Sequence, residues 1–145
     1  MKVKESIMDN TLELTIHNDL AELQHLNRAM NDFVESKSLP EHSAFTICLA
    51  IEEIISNIIK YAYDDRSVHD IMVRIKLCKD HLALTIEDDG CEFNPLKVPK
   101  PDIHKPIEER PIGGLGIHLV RSMCNNVTYK RAKDRNILNI LINIK

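Results

Sequence analysis

The sequence predicts an α+β two-layer sandwich: about five strands in a mostly antiparallel mixed sheet, with three main helices on one face. Three observations carry that class. Segments alternating apolar and polar residues with period 2 are interleaved with segments of helical periodicity; two pairs of the strand-like segments meet at turns of hairpin length; and a short helical segment follows a glycine cluster. At 145 residues the chain has one domain's length. A chain of that size buries roughly two thirds of its unfolded surface, so residues 1–145 are expected to form a single domain.

The elements follow in order. "TLELTIHN" (11–18) alternates strictly and reads as a first strand with Leu12, Leu14 and Ile16 facing a core. Residues 19–38 carry Leu20, Leu23, Leu26, Met30, Phe33 and Val34 at helical spacing, and "SLPEHS" breaks the pattern. A longer helix is expected from about Glu41 to Tyr63, ended by "DDRSVHD". "IMVRIKLC" and "HLALTIED" read as two strands joined at Lys79-Asp80. Residues 90–112 hold five of the six prolines and no sustained period, and so predict a long functional loop or lid. A helix over about 114–125, with Leu115, Leu119 and Met123 inward, precedes two closing strands, "NVTYKRA" and "NILNILINI", around an Asp134-Arg135 turn.

Composition removes several classes. A net charge of −3 with dispersed basic residues gives no electrostatic footprint for nucleic acid. Cys48, Cys78, Cys91 and Cys124 form no CxxC pair and no Cys/His cluster, which argues for reduced thiols and against zinc or a disulfide framework. The start has no apolar signal core, and no unbroken apolar run approaches the ~18 residues of a membrane span. A soluble, cytoplasmic protein is the expectation.

Three short motifs stand out. In "ICLAIEEIISNIIKYAY" the polar residues Glu52, Glu53, Ser56 and Asn57 fall within one arc of about 140°. Such a stripe is commonly a solvated helix face. Here isoleucines crowd it, and Glu53 and Asn57 project together at i, i+4. An amide oxygen suits a hard cation such as Mg²⁺, and a carboxylate suits orienting or deprotonating a nucleophile. The second motif is Asp88-Asp89-Gly90, ending a strand. It reads as a turn in which Gly supplies positive φ, or as an acceptor for an exocyclic amine with Gly90 admitting a flat base. The third, "GGLG" (113–116), holds three of the chain's four glycines ahead of a helix. Unpaired N–H groups and the positive end of the helix dipole suit a phosphate there, although such clusters are commonly simple connections. Neither the Walker nor the dinucleotide fingerprint is present.

Together and in this order, "EEIISN", "DDGCEFNP" and "GGLGIHLVRSM" resemble the N, G1 and G2 boxes of the GHKL ATPases, whose nucleotide site is the Bergerat, histidine-kinase-like ATPase fold. Within that superfamily the chain resembles the anti-sigma-factor serine/threonine kinases of the RsbW and SpoIIAB type. The narrower likeness rests on Asp88-x-Gly90-x-x-Phe93-Asn94-Pro95, on a chain too short for a phosphoacceptor helical hairpin, and on the closing "VTYKRAKDRNILNILINIK". It spans about residues 10–145.

The resemblance implies that Asn57 ligates Mg²⁺ and that Glu53 is the general base or water-positioning residue. It implies that Asp88 accepts the adenine amino group beside Gly90 and Phe93. Gly113, Gly114, Leu115 and Gly116 would wrap the phosphates of ATP under the lid at 90–112, with Arg110 a charge partner. Phosphoryl transfer runs largely on positioning and charge neutralisation, so this set is chemically sufficient. The implied partners are a small STAS-type anti-sigma-factor antagonist bearing the acceptor serine or threonine, a sigma factor, and a second copy in a homodimer. No direct nucleic acid or membrane contact is implied. The chain departs from the family at Ile58 and at Tyr61-Ala62-Tyr63, where a small residue and a His-Gly or His-Ala pair are usual. The alternative reading is a nucleotide-gated protein-binding module without phosphotransfer, for which Glu53 would be dispensable. A purely structural domain would bind no nucleotide.

Overall fold

The computed structural model describes residues 4–8, 10–97, 104 and 114–144. Its strands are β1 (Lys4–Met8), β2 (Thr11–His17), β3 (Asp70–Leu77), β4 (His81–Asp88), β5 (Asn126–Ala132) and β6 (Arg135–Asn143). The helices are α1 (Leu23–Ser36), α2 (Glu41–Tyr61) and α3 (Gly114–Met123). The α+β class holds, with two refinements. A sixth strand, β1, adds an edge before the first expected one, and every pairing among the described strands is antiparallel, in the order β1-β2-β3-β4-β6-β5.

Period-2 alternation builds the inner face of the sheet. Leu12, Leu14 and Ile16 of β2, Ile71, Val73 and Ile75 of β3, Leu82, Leu84 and Ile86 of β4, and Leu138, Ile140 and Ile142 of β6 are all buried. Side chains on the other face are polar or half-exposed, tied across strands by Arg74 to Glu13 at 3.0 Å and by Thr85 to Asn139 at 2.8 Å. The inner face is covered by Leu26, Met30 and Phe33 of α1 and by Ile47, Ile51 and Ile55 of α2. Burying each such side chain contributes about 1.5–3 kcal/mol. By length and composition α2 could cross a membrane, but its apolar stripe is here the centre of the core.

Several local expectations shift. The first helical segment opens with a 3-10 turn at Leu20–Glu22, because the Asp19 side chain accepts from Ala21 N at 3.0 Å and starts a tight turn before the helix proper. The closing hairpin turns at Lys133-Asp134, one residue earlier than expected. Both have positive φ, 53° and 61°, the pairing that matches the twist of a two-residue hairpin. Among the described side chains of α3, Ile117 and Val120 are buried, Met123 is half-buried, and Leu119, expected inward, is 44% exposed; the Leu115 side chain lies outside the described residues. Apolar residues lie around most of this short helix, so periodicity alone left its inward direction open, and packing against α2 turned Ile117 and Val120 inward.

Candidate functional site

The inward rows of two adjacent strands each run out into a polar residue at the same end of the sheet. In β4 the buried row Leu82, Leu84, Ile86 continues to Asp88; in β6 the row Ile142, Ile140, Leu138 continues to Asn136. The register pairs Asp88 directly with Asn136. Both are buried, at 3% and 6% exposure, so each must find polar partners within the fold.

They find one another. Asn136 Nδ2 donates to Asp88 Oδ1 at 3.0 Å and to the Cys91 carbonyl at 2.8 Å. Its Oδ1 accepts from Tyr129 Oη at 2.6 Å and from Phe93 N at 3.3 Å. Gly90 N also donates to Asp88 Oδ1, at 2.8 Å. Among the described residues no hydrogen bond falls on Asp88 Oδ2, which is left as an acceptor. Burial pushes the Asp88 carboxyl above its ordinary range, against the opposing pull of the Asn136 and Gly90 donors. Asn136 was missed in the sequence, although a polar residue at the inward position of Asn136-x-Leu138-x-Ile140-x-Ile142 is a readable signal.

The segment after β4 is pinned to the end of α2. Cys91 N donates to the Ala62 carbonyl at 2.8 Å, and Arg131 Nη1 donates to the Gly90 carbonyl at 2.8 Å. A Cβ on Gly90 would lie 2.6 Å from Ala62 Cβ and 2.8 Å from Ala62 O. Gly90 does not adopt the positive φ of the simple turn reading; close approach of two backbones is what requires glycine here. Phe93 is 47% exposed. Asn94 caps the 3-10 turn Pro95–Lys97, its Oδ1 accepting from Leu96 N at 2.9 Å, a task for which Asn serves as well as Asp.

On α2, Glu52 is exposed, whereas Glu53, Ser56 and Asn57 are only partly so, and the stripe is therefore not a plain solvated face. The Glu53 carboxylate lies against Gly116 in the first turn of α3: a Cβ there would overlap Glu53 Oε2 and stand 2.6 Å from its Cδ. One turn further along α2, Asn57 Nδ2 is buried and bonds nothing among the described residues. Which end of an amide is oxygen follows from its partners, so this carboxamide is able to present its oxygen to a cation. No group of three or more His, Cys, Asp or Glu residues able to hold a metal occurs among the described residues. A cation at Asn57 would thus need most of its ligands from elsewhere, as Mg²⁺ takes from phosphates and water. Gly114 begins α3, while Arg110, Gly113 and most of the expected lid lie outside the described residues, as does the Leu115 side chain.

The fold and this end of the sheet define an ATPase domain of the histidine kinase type: the model of the histidine kinase-like ATPase domain matches residues 16–142, and the chain belongs to that family. Among curated proteins it is similar to the Serine-protein kinase RsbW of Bacillus mycoides, 31% identical over 94 residues that cover 62% of this chain and 58% of the relative. The proteins of the same name from Bacillus cereus and Bacillus thuringiensis are 32% identical over the same coverage. The chain thus spans 58% of the length of the curated relatives it matches.

Proposed function

We propose that this chain is a Mg·ATP-dependent serine/threonine protein kinase and anti-sigma factor of a bacterial partner-switching pathway, acting on a small STAS-type antagonist. The observation that carries the reading is the seating of the Glu53 carboxylate against the first turn of α3, which sets a potential base beside the end of a helix that favours anions. The names of its relatives and the ATPase family support the same reading.

In this reading the adenine amino group donates to Asp88 Oδ2, with Gly90 leaving room for the ring and Phe93 at the pocket's margin. The phosphates lie on the N–H groups opening α3, around Gly113, Gly114, Leu115 and Gly116, with Arg110 contributing positive charge. Asn57 would supply an amide oxygen to Mg²⁺, whose contribution there would be neutralisation of charge on the phosphoryl oxygens. Glu53 orients the acceptor hydroxyl of the docked antagonist and takes its proton. Antagonist phosphorylation and sigma-factor binding alternate on a cytoplasmic, homodimeric protein.

Labelled-phosphate transfer from ATP to a candidate antagonist domain, run alongside nucleotide titration, tests the proposal. Glu53→Gln is expected to keep nucleotide affinity within about threefold and to lower transfer by about 10²–10⁴-fold, the usual yield of general-base catalysis. Undiminished transfer by the variant would refute the assigned role. Absence of a thermal shift with Mg·ATP or Mg·ADP would refute the site, since a ligand at about 100 times its Kd adds about 2.7 kcal/mol.

A further inference from the structure

A histidine outside the three boxes bonds Asp89, the residue that follows Asp88. His69 lies in the loop leading into β3. Its Nδ1 is 3.1 and 3.3 Å from the two carboxylate oxygens of Asp89, and its Nε2 is 2.8 Å from Asp65 Oδ1. The ring stacks on Tyr63 with centroids 4.2 Å apart and planes 15° from parallel. Its backbone is fixed on both sides by Asn18: His69 N donates to Asn18 Oδ1 at 2.9 Å, and Asn18 N donates to the His69 carbonyl at 3.0 Å. The side chain is 17% exposed.

A neutral imidazole carries one N–H, and so can serve only one of two carboxylates; the imidazolium serves both. The arrangement therefore selects the charged ring. Asp89 stands between Asp88 and Gly90, in a segment held by Asn136, Arg131, Ala62 and His69. Of these four anchors only His69 changes charge near neutral pH. The ionisable groups facing it are Asp65 from its own loop, Asp89 from the segment after β4 and Tyr63 from the segment after α2. Of the charges next nearest along these elements, Asp70 Oδ1 lies 3.1 Å from His17 Nδ1, and Arg135 is paired with Glu87 at 2.7 Å.

We infer that His69 is a positioning residue for the nucleotide site: as the imidazolium it ties Asp65 to Asp89, holds Asp88 and Gly90 in binding geometry, and makes nucleotide affinity fall as pH rises. The inference rests on the reading of Asp88 as the adenine acceptor. The hydrogen bond to Asp65 first, and Asp89 after it, raise the His69 pKa above its ordinary value against the effect of burial, while the same contact lowers that of Asp65. A raised histidine pKa gives a stabilisation fully present below about pH 6.5 and lost as pH climbs through the folded-state value.

The test is the affinity of the full chain for Mg·ADP between about pH 5.5 and 8.5, compared among wild type, His69→Gln and Asp89→Asn. Wild-type affinity is expected to fall across this range by about two- to fivefold more than that of either variant, the equivalent of one partly exposed ion pair. The Asp89→Asn variant leaves the histidine in place, so it reports even if His69→Gln folds poorly. An NMR titration of the His69 ring in the wild type is expected above the ordinary histidine range. Superimposable affinity profiles in all three proteins, or a ring titrating at or below about 6.5, would overturn the inference while leaving the nucleotide site standing. No binding by wild type at any pH would overturn the site itself, and the inference with it.

Discussion

Glu53 and Gly116 share a space that only one side chain can fill: a β-carbon on Gly116 would stand 2.6 Å from Glu53 Cδ. The two residues come from different helices, 63 positions apart in sequence, and each explains the other. A carboxylate on the half-buried stripe of α2 can reach the start of α3 because the helix presents no side chain there.

Gly116→Ala is consequently a test of geometry with little cost in folding. Gly116 lies in the first turn, where Ala gains less than the ~1 kcal/mol of a helix interior, and the atoms it overlaps are the far end of a flexible side chain, so the thermal midpoint is expected to hold steady. The Glu53 carboxylate must move, and displacements of about 1 Å at a reacting group cost on the order of 10²-fold in rate. Phosphate transfer that stays at the wild-type level in a folded Gly116→Ala protein would contradict the role given to Glu53.

Gly90→Ala has the opposite signature. The new methyl meets Ala62 Cβ at 2.6 Å and the Ala62 carbonyl at 2.8 Å, and so prises apart the contact closed by the Cys91 N–H. Overpacking of this kind costs about 1–3 kcal/mol, read as a midpoint lowered by about 3–10 °C. Adding Ala62→Gly is expected to recover only part of the loss, because the backbone oxygen remains; full recovery would show that the side chain was the sole obstacle.

Asp88→Asn places an amide where the adenine amine needs an acceptor on the unpaired oxygen. Affinity for ADP is expected to fall by at least about tenfold, as for a charged hydrogen bond lost from a buried site, whereas binding of inorganic phosphate or pyrophosphate should change by less than about twofold. Competition titrations separate these outcomes, and a uniform loss would place Asp88 elsewhere than at the base.

The same carboxylate sets an acid limit on binding. Burial raises the Asp88 pKa above the ordinary carboxylate value, so over that interval the folded state holds a proton that the unfolded chain has released; ionisation of Asp88 thus weighs against folding as pH rises through it, and acceptor function is lost as pH falls through the raised value. Asn136→Ala removes a donor that favours the charged form. The acid limb of ADP binding is expected to move to higher pH, with about 1–3 kcal/mol lost in stability from the unpaired groups. An unmoved limb would show that Asn136 does not act on Asp88.

Much of the fold was legible because it is locally encoded. The strand rows Leu82-Leu84-Ile86 and Leu138-Ile140-Ile142 state their period over a few residues, and the glycine cluster marks the start of α3 without reference to anything distant. Leu119 faces outward, against the expectation, because apolar residues on most sides of a ten-residue helix leave its inward direction to the neighbouring α2. The hairpin turn lies one residue earlier than expected because its geometry depends on positive φ at both Lys133 and Asp134, and Lys, unlike Asp, does not announce such a position.

Apart from the edge strand β1, local sequence settles the kind of each element and the polar residues that interrupt the apolar rows, since both follow from periods of two and 3.6 residues acting over short spans. Only the tertiary structure decided that Asp88 meets Asn136, that Gly90 rests on Ala62, that Glu53 lies against Gly116, and that His69 bridges two carboxylates. Such pairings depend on strand register and on how closely backbones approach, and those are settled by burial of the whole apolar face rather than by any local run of residues.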